Sequence, residues 1–164
     1  MARKPGRLEV LARLHEQLEE TLARLIASQQ TVQSGAVHSE ARQEHPKDTR
    51  SIEAGYLSRG LAERVETMQD ALRTLKVFRP PPREKDDPIG LGALIVVADE
   101  EGEESLYFLA PVGGGEKLRV KGVEVVVLTP RAALGGALVG RYAGDEVELD
   151  TPRGKRTLEI RSIG

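Results

Sequence analysis

Two leucine-rich stripes in the first half of the chain constrain its fold more than any other feature. Their members recur at intervals of three, four or seven residues, which is the spacing of one face of an α-helix. The first stripe is Leu11, Leu14, Leu18, Leu22, Leu25 and Val32, and the second is Leu57, Leu61, Val65, Met68, Leu72 and Leu75. Each stripe is narrow, which favours packing against one partner helix. We therefore predict that residues 1–79 form an antiparallel coiled-coil hairpin whose arms bury each other's leucines.

The composition of the chain changes near residue 80. Of the 17 glycines, four precede this point and thirteen follow it, and the net charge changes from +2 over residues 1–79 to −4 over residues 80–164. The prolines at 80–82 keep the chain extended and exclude a helix through them. We interpret residues 80–90 as a semi-rigid linker and residues 91–164 as a second domain.

Short apolar or alternating segments in the second half predict a sheet. Glycine or proline separates them, and Val147, Leu149, Leu158 and Ile160 alternate with polar positions as in a half-buried antiparallel sheet. The predicted strands are residues 91–98, 105–110, 123–128, 146–150 and 156–160. The glycine-rich segment 111–118 is predicted to be a flexible hairpin loop, and residues 151–154 are predicted to be a hairpin turn.

One short helix is predicted between the third and fourth of these strands. Thr129 is the expected N-cap and Pro130 the first helical residue, because a hydroxyl accepts from free N–H groups and proline is tolerated at that position. Gly140 lies where a glycine is expected just beyond the helix end. An apolar face that includes Leu134 and Leu138 then covers the sheet. The second half is thus a small α+β domain of about five antiparallel strands and one helix.

The composition excludes several classes of protein. The chain has no Cys, which excludes disulfides, thiolate nucleophiles and Cys-ligated metal centres. With 24 basic and 26 acidic side chains, it is not built to coat nucleic acid by charge alone. No apolar run approaches the ~20 residues of a membrane span, and no apolar region of a signal peptide follows the basic N-terminus. We expect a soluble, cytoplasmic protein that does not associate with membranes.

The residues around the short helix resemble a known family signature. Residues 129–147 read Thr-Pro-Arg-Ala-Ala-Leu-Gly-Gly-Ala-Leu-Val-Gly-Arg-Tyr-Ala-Gly-Asp-Glu-Val. This segment resembles the C-terminal signature of the GreA/GreB transcription elongation factors, roughly S-P-x-S-P-L-G-x-A-L-x-G-K-x-x-G-D-x-V. The departures are the alanines at 132–133 in place of Ser-Pro and Arg141 in place of Lys. The resemblance is strong over residues 123–163. Over residues 8–78 it is a resemblance in the pattern of apolar residues.

The resemblance implies a fold and a mechanism. The family has an N-terminal antiparallel coiled coil and an FKBP-like sheet domain, which docks on the rim of the secondary channel of bacterial RNA polymerase. The hairpin enters that channel, where acidic tip residues help to hold a second Mg²⁺ that activates a water to cut backtracked RNA. The chain itself would not be an enzyme. Mg²⁺ would be supplied at the polymerase active site, and the isolated chain would bind none stably.

The resemblance also implies contacts and partners. Thr129, Pro130, Leu134 and Gly135 match the part of the signature that faces the polymerase rim, and they are the predicted polymerase-binding residues. The expected partners are bacterial RNA polymerase and, indirectly, the 3′ end of the nascent RNA. DNA binding within the transcription complex is expected as a family property, and the chain is expected to be a monomer.

The predicted tip of the hairpin departs from the family pattern, which reads roughly G-D-x-S-E-N-A-E-Y. Residues 47–56 read Lys-Asp-Thr-Arg-Ser-Ile-Glu-Ala-Gly-Tyr. Alignment on the shared Ser, Ala and Tyr places Thr49 and Ile52 at the two acidic positions. Asp48 lies one residue before the first of these positions and Glu53 one residue after the second, so the spacing between the acids widens from three residues to five.

Asp48 and Glu53 are the predicted catalytic carboxylates of the tip, and Glu44 is the alternative. Residues five apart on a continuous helix do not share a face, so convergence requires Asp48 in the turn and Glu53 in the first helical turn. Each has a structural alternative, since Asp48 can cap the returning helix and Glu53 can favour its dipole. Glu44, Arg50 and Tyr56 are predicted to support the tip, and for Tyr56 packing in the leucine seam is preferred over stacking on nucleic acid.

Three other functions stay open at this stage. A Gre-like regulator can enter the channel without supporting cleavage, which the displaced acids and Ile52 favour. A peptidyl-prolyl isomerase is compatible with an FKBP-like fold, but its active site needs clustered aromatics, and the second half offers only Tyr107, Phe108 and Tyr142. A coiled-coil adaptor with a docking sheet also fits. A transcript-cleavage assay, an isomerase assay and binding to RNA polymerase separate these functions.

Overall fold

The structure of the protein is a computed structural model that describes residues 3–41 and 49–164. The chain forms two compact units, one of Met1–Glu16 with Thr74–Gly164 and one of Gln17–Arg73. Among the residues described, none of the helices is long and apolar enough to cross a membrane.

The unit of Gln17–Arg73 is a pair of helices. Helix α1 spans Arg7–Ala41 and helix α2 spans Thr49–Val77, so both helices also extend into the other unit. Leu61 and Val65 of α2 are each 8% exposed and form an apolar cluster with Leu25 of α1. The partly buried residues that pack against this cluster are Leu22, Ile26, Val32 and Met68. The predicted pairing of the two leucine stripes is confirmed over this stretch.

The second stripe is buried over a shorter length than its spacing predicts. Leu57 is 55% exposed, although it lies four residues before the buried Leu61. Gly55 and Gly60 lie in the same part of α2, and no described atom lies within 4 Å of the position that a Cβ would take on either glycine. Each glycine therefore weakens the helix by about 1 kcal/mol relative to Ala without a packing reason among the described residues.

Leu61→Ala should destabilise the helix pair by roughly 2–5 kcal/mol, because it removes buried methyl groups and leaves a cavity. Leu57→Ala is the matched control, and we expect it to change the free energy of unfolding by no more than about 0.5 kcal/mol, since Leu57 is exposed. Denaturant unfolding followed by far-UV circular dichroism measures both changes. Equal effects of the two substitutions would contradict the difference in burial.

The other unit contains six strands and one short helix. In chain order the elements are β1 (Leu94–Ala98), β2 (Glu104–Leu109), β3 (Lys117–Val120), β4 (Val123–Leu128), α3 (Ala133–Leu138), β5 (Glu146–Thr151) and β6 (Gly154–Ile163). The strands form one sheet in the order β3-β4-β2-β1-β6-β5. All five predicted strands occur; β4 has the predicted ends, and the ends of the other four differ. The predicted turn joins β5 to β6, where Thr151 Oγ1 donates to the Gly154 carbonyl at 2.7 Å.

The sheet differs from the prediction in two respects. It has a sixth strand, β3, which begins at the end of the segment predicted to be only a loop and continues to Val120, and it is mixed because β2 pairs with β4 in parallel. The two differences have one cause. Strand β3 reverses the chain between β2 and β4, so β4 runs in the direction of β2 rather than against it. The glycines at 113–115 and the length of β3, only four residues, hide this strand in the sequence.

The sheet has an apolar core on both faces. On one face, Ile95 and Leu109 belong to a cluster that includes Leu138 of α3, and all three are fully buried. Leu94 and Phe108 are 2% and 0% exposed. They point to the opposite face, because successive residues of a strand alternate between the two sides. The second face therefore also needs a cover.

The first turns of α1 supply that cover. Val10 and Leu14 are fully buried, and Leu14 Cδ1 lies 3.1 Å from the position that a Cβ would take on Gly113, in the middle of the β2–β3 connection. Ahead of the helix, Lys4 Nζ donates to Ser162 Oγ of β6 at 3.0 Å. The beginning of the chain is thus part of the sheet unit.

An ion pair ties the first turn of α1 to the turn between β3 and β4. Glu9 Oε1 lies 2.6 Å from Lys121 Nζ, and Glu9 Oε2 accepts a hydrogen bond from the Gly6 N–H at 2.7 Å. The bond from Gly6 and, next, the bond from Lys121 lower the pKa of Glu9. Lys121 and Gly122 have φ angles of 52° and 78°, the positive values that a two-residue type I′ hairpin turn requires.

Removal of the Glu9 carboxylate should lower the stability of this unit only at pH values at which the carboxylate is ionised. Because its folded-state pKa lies below the ordinary value of 4.5, ionised Glu9 stabilises the fold above that pH and loses this contribution as the pH falls through the folded-state pKa. We expect Glu9→Gln to lower the melting temperature slightly at pH 7, by an amount that shrinks as the solution is acidified. Thermal unfolding across a pH series measures this, with Glu63→Gln as the exposed control. A constant difference at all pH values would contradict the assignment.

Two arginines order the proline-rich segment between α2 and β1. Arg83 donates to the carbonyls of Pro88 and Asp87 at 2.7 and 2.8 Å, and Arg7 donates to the carbonyl of Pro81 at 3.0 Å. Burial lowers the pKa of the Arg83 guanidinium, and the nearby Asp87 opposes this shift. Whether the segment separates independently folding domains stays a prediction.

Candidate functional site

The loop predicted to contact polymerase leads from β4 into α3. Thr129 is half-buried and Pro130 is exposed, and the Ala132 N–H donates to the Thr129 carbonyl at 3.1 Å, which closes a turn. Helix α3 begins three residues after Pro130, and its N-cap, Ala132, makes no side-chain bond. The predictions that Thr129 caps the helix and that Pro130 starts it are therefore wrong. Gly140 has a φ of 80° just beyond the helix, as predicted.

Gly135 allows α3 to pack closely against this turn. Gly135 is buried, and a Cβ at its position would overlap the Thr129 carbonyl oxygen and lie 3.5 Å from Leu109 Cδ1. The preceding residue, Leu134, is partly buried against the core on the α3 side of the sheet. The structure thus brings together Thr129 and Gly135, two of the predicted polymerase-binding residues. Gly135 shapes the turn, while Pro130 is the residue that the turn exposes.

Gly135→Ala should destabilise the sheet unit by roughly 1–3 kcal/mol, since the added methyl group requires a shift of the Thr129 backbone. Gly136→Ala is the matched control. A Cβ on Gly136 would lie 3.1 Å from the Pro130 carbonyl oxygen, so a displacement of a few tenths of an ångström accommodates it and the cost should be smaller. Denaturant unfolding followed by tyrosine fluorescence compares the two, and equal costs would contradict the close approach at Gly135.

The described part of the predicted tip is the beginning of α2. The helix starts at Thr49, and its first turn, which contains Arg50, has no acidic residue. Glu53 therefore lies just beyond the first turn, in an exposed position, and not within it as convergence with Asp48 was expected to require. Asp48 and Glu44 lie outside the described residues, so their roles stay predictions.

Tyr56 is exposed and does not complete the leucine seam. Its side chain is 63% exposed, and the guanidinium carbon of Arg59 lies 4.7 Å from the centroid of its ring, a cation–π contact. Ile52, one turn earlier on α2, is 50% exposed. The seam interpretation of Tyr56 is therefore wrong, and an aromatic and an aliphatic side chain are exposed on either side of Glu53. The contact with Arg59 was missed, although a Tyr and an Arg three residues apart on a helix are a recognisable signal for it.

The aromatic residues of the second half do not form one cluster. Tyr107 packs against the core on the α3 side of the sheet. Phe108 is its neighbour in β2 and is fully buried on the opposite face, and Tyr142 is 50% exposed. The alternation of β2 thus separates the two adjacent rings, and the arrangement that the isomerase hypothesis requires is not formed by these three residues.

Comparisons with known proteins place this architecture in a family. Residues 84–164, which include all six strands and α3, match the family described as transcription elongation factor, GreA/GreB, C-term. Transcription elongation factor GreA of Sulfurovum sp. is 28% identical over 168 residues, covering 99% of this chain and 95% of the relative. The factor of the same name from Mesorhizobium japonicum is 27% identical, with 99% and 98% covered. The chain belongs to the GreA/GreB family.

The similarity of this GreA/GreB chain to its relatives includes the helices as well as the sheet unit, and the chain is a GreA-like transcription elongation factor. Among solved structures it resembles GreA factor homolog 1 of Thermus thermophilus, with 21% identity, a TM-score of 0.38, and 92% of this chain and 94% of that chain covered.

Proposed function

We propose that this chain binds bacterial RNA polymerase through the secondary channel and stimulates cleavage of backtracked RNA. The observation that carries the proposal is similarity over nearly the whole length to relatives named transcription elongation factor GreA. In this mechanism the catalytic centre belongs to the polymerase, and the chain contributes groups to it.

Docking is assigned to the turn before α3. Pro130 is exposed at its surface, and Thr129 is half-exposed beside it. An exposed loop held by a rigid scaffold is a common way to present binding residues. Here the close approach of Gly135 to the Thr129 carbonyl holds the turn, so its exposed residues keep one arrangement before the partner arrives. Leu134 supports the turn from the core side.

The tip chemistry is assigned to Asp48 and Glu53, with Glu44 as the alternative. Carboxylate oxygens fit the metal that the family implies, because Mg²⁺ prefers hard oxygen ligands and is often held by one or two carboxylates together with phosphate. Glu53 is exposed, so its oxygens are accessible to a metal ion held mainly by another protein. Such a shared Mg²⁺ would supply activation of a water and stabilisation of the leaving oxygen.

Asp48→Asn combined with Glu53→Gln should slow RNA cleavage in a stalled, backtracked polymerase complex by about a hundredfold or more, the scale expected when preorganised charge is removed from a catalytic centre. Binding to the polymerase should be retained, because the substitutions preserve shape. Shortening of end-labelled RNA in the presence of Mg²⁺ measures cleavage, and competition with labelled wild-type protein measures binding. Glu63→Gln, an exposed acid further along α2, is the matched control and should cleave normally.

Three outcomes have different meanings for the proposal. Normal cleavage by the double variant would overturn the assignment of the tip residues. Polymerase binding by the wild type without any cleavage would replace the proposal with a regulator that occupies the channel. Absence of polymerase binding would overturn the proposal as a whole.

A further inference from the structure

The parallel strands β2 and β4 separate along half of their length. Their ladder consists of three residue pairs and begins at Tyr107 and Val126. Before that point, residues 104–106 of β2 pair only with β1, and residues 123–125 of β4 pair only with β3. In this stretch, the side of β2 that faces β4 and the side of β4 that faces β2 have no strand paired to them. The sheet therefore contains two strand edges in its interior. Strand edges carry backbone N–H and C=O groups that can pair with an added strand.

A cleft of about 700 Å³ lies at this separation. Its volume is within the range of 300–1,000 Å³ that is typical of small-ligand pockets. Val96, Leu106 and Val123 contribute apolar lining, and Tyr107 and Val126 close the end where the strands meet. The cleft therefore combines two edges with apolar surface between them, which are the two features that strand addition uses.

The charge around the cleft is predominantly negative. The charged residues of its lining are Glu103, Glu104, Glu124, Lys4 and Lys117. The ammonium group of Lys4 is bonded to Ser162 Oγ at 3.0 Å, which directs it to β6. The adjoining turn between β1 and β2 adds Glu100 and Glu101, while Asp99 in the same turn forms an ion pair with Arg156. A basic occupant is therefore favoured over an acidic one, because like charges across an interface are costly.

We infer that this cleft binds an extended, basic peptide segment of another protein by strand addition. The segment pairs its backbone with residues 104–106 on one side and residues 123–125 on the other. Apolar side chains at alternate positions reach the apolar lining, and Lys or Arg side chains meet the glutamates of the rim. A helix is a poorer occupant, since its backbone bonds are internal and its diameter is about 10–12 Å.

Titration of the ¹⁵N-labelled full chain with the peptide acetyl-Lys-Val-Lys-Val-Lys-amide tests this inference. We expect saturable amide shifts and slowed hydrogen exchange at residues 104–106 and 123–125. Acetyl-Glu-Val-Glu-Val-Glu-amide should bind at least about tenfold more weakly because of like-charge repulsion. Acetyl-Lys-Val-Pro-Val-Lys-amide should also bind more weakly, since proline removes a backbone donor from the middle of the strand.

Charge-reversal variants provide the matched comparison. Glu104→Lys combined with Glu124→Lys should weaken binding of the basic peptide at least about fivefold. Glu148→Lys combined with Asp150→Lys changes the same number of exposed charges on the outer strand β5 and should leave binding unchanged. Equal affinity for the acidic and basic peptides, shifts confined to β5, or no saturable shift up to about 1 mM peptide would overturn the inference.

Discussion

The sheet unit depends on the need to cover two apolar faces. A sheet that is apolar on both sides must be enclosed by two layers. Helix α3 has six residues and packs on one face, where Leu138 is fully buried. The other face is enclosed by the beginning of α1, where Val10 and Leu14 are fully buried. This requirement explains why a domain that the sequence places in the second half includes the first sixteen residues of the chain.

The same requirement sets the surroundings of the candidate docking turn. The turn before α3 adjoins the apolar core through Leu134, and the close approach of Gly135 to the Thr129 carbonyl fixes its backbone. On the opposite face, Glu9 and Lys121 fix the β3–β4 turn to α1. Packing thus determines the arrangement of the exposed residues of this turn, whereas Glu53 of the predicted tip lies on α2 in the other unit.

Features with a long period were predictable from the sequence, and features that depend on contacts between distant residues were not. Repeated leucine spacing predicted that the two stripes pack against each other, as Leu25 and Leu61 do, because burial on one helix face leaves a regular pattern. It failed at Leu57, which is 55% exposed although its spacing places it on the same helix face as the buried Leu61. Strand β3 was missed because four residues are too few for alternation to be recognised.

In the candidate site, too, some features were predictable from the sequence and others depended on contacts between distant residues. The resemblance at residues 129–147 predicted the family and the position of the turn. Local rules misplaced the helix start at Thr129 and Pro130, because the Thr129 carbonyl is used in a turn that only the packing of Gly135 reveals. The exposure of Tyr56 was missed because the spacing of residues in α2 does not record which of its side chains the partner helix covers.

The covering of the second sheet face by α1 also affects the order in which the chain can fold during synthesis. Lys4 and its hydrogen-bond partner Ser162 are 158 positions apart, whereas both helices lie within residues 7–77. Contacts between nearby residues form faster than contacts that close long loops. The helix pair can therefore form while the ribosome is still translating the strands. Leu14, by contrast, can contact the connection between β2 and β3 only after that connection has left the ribosome.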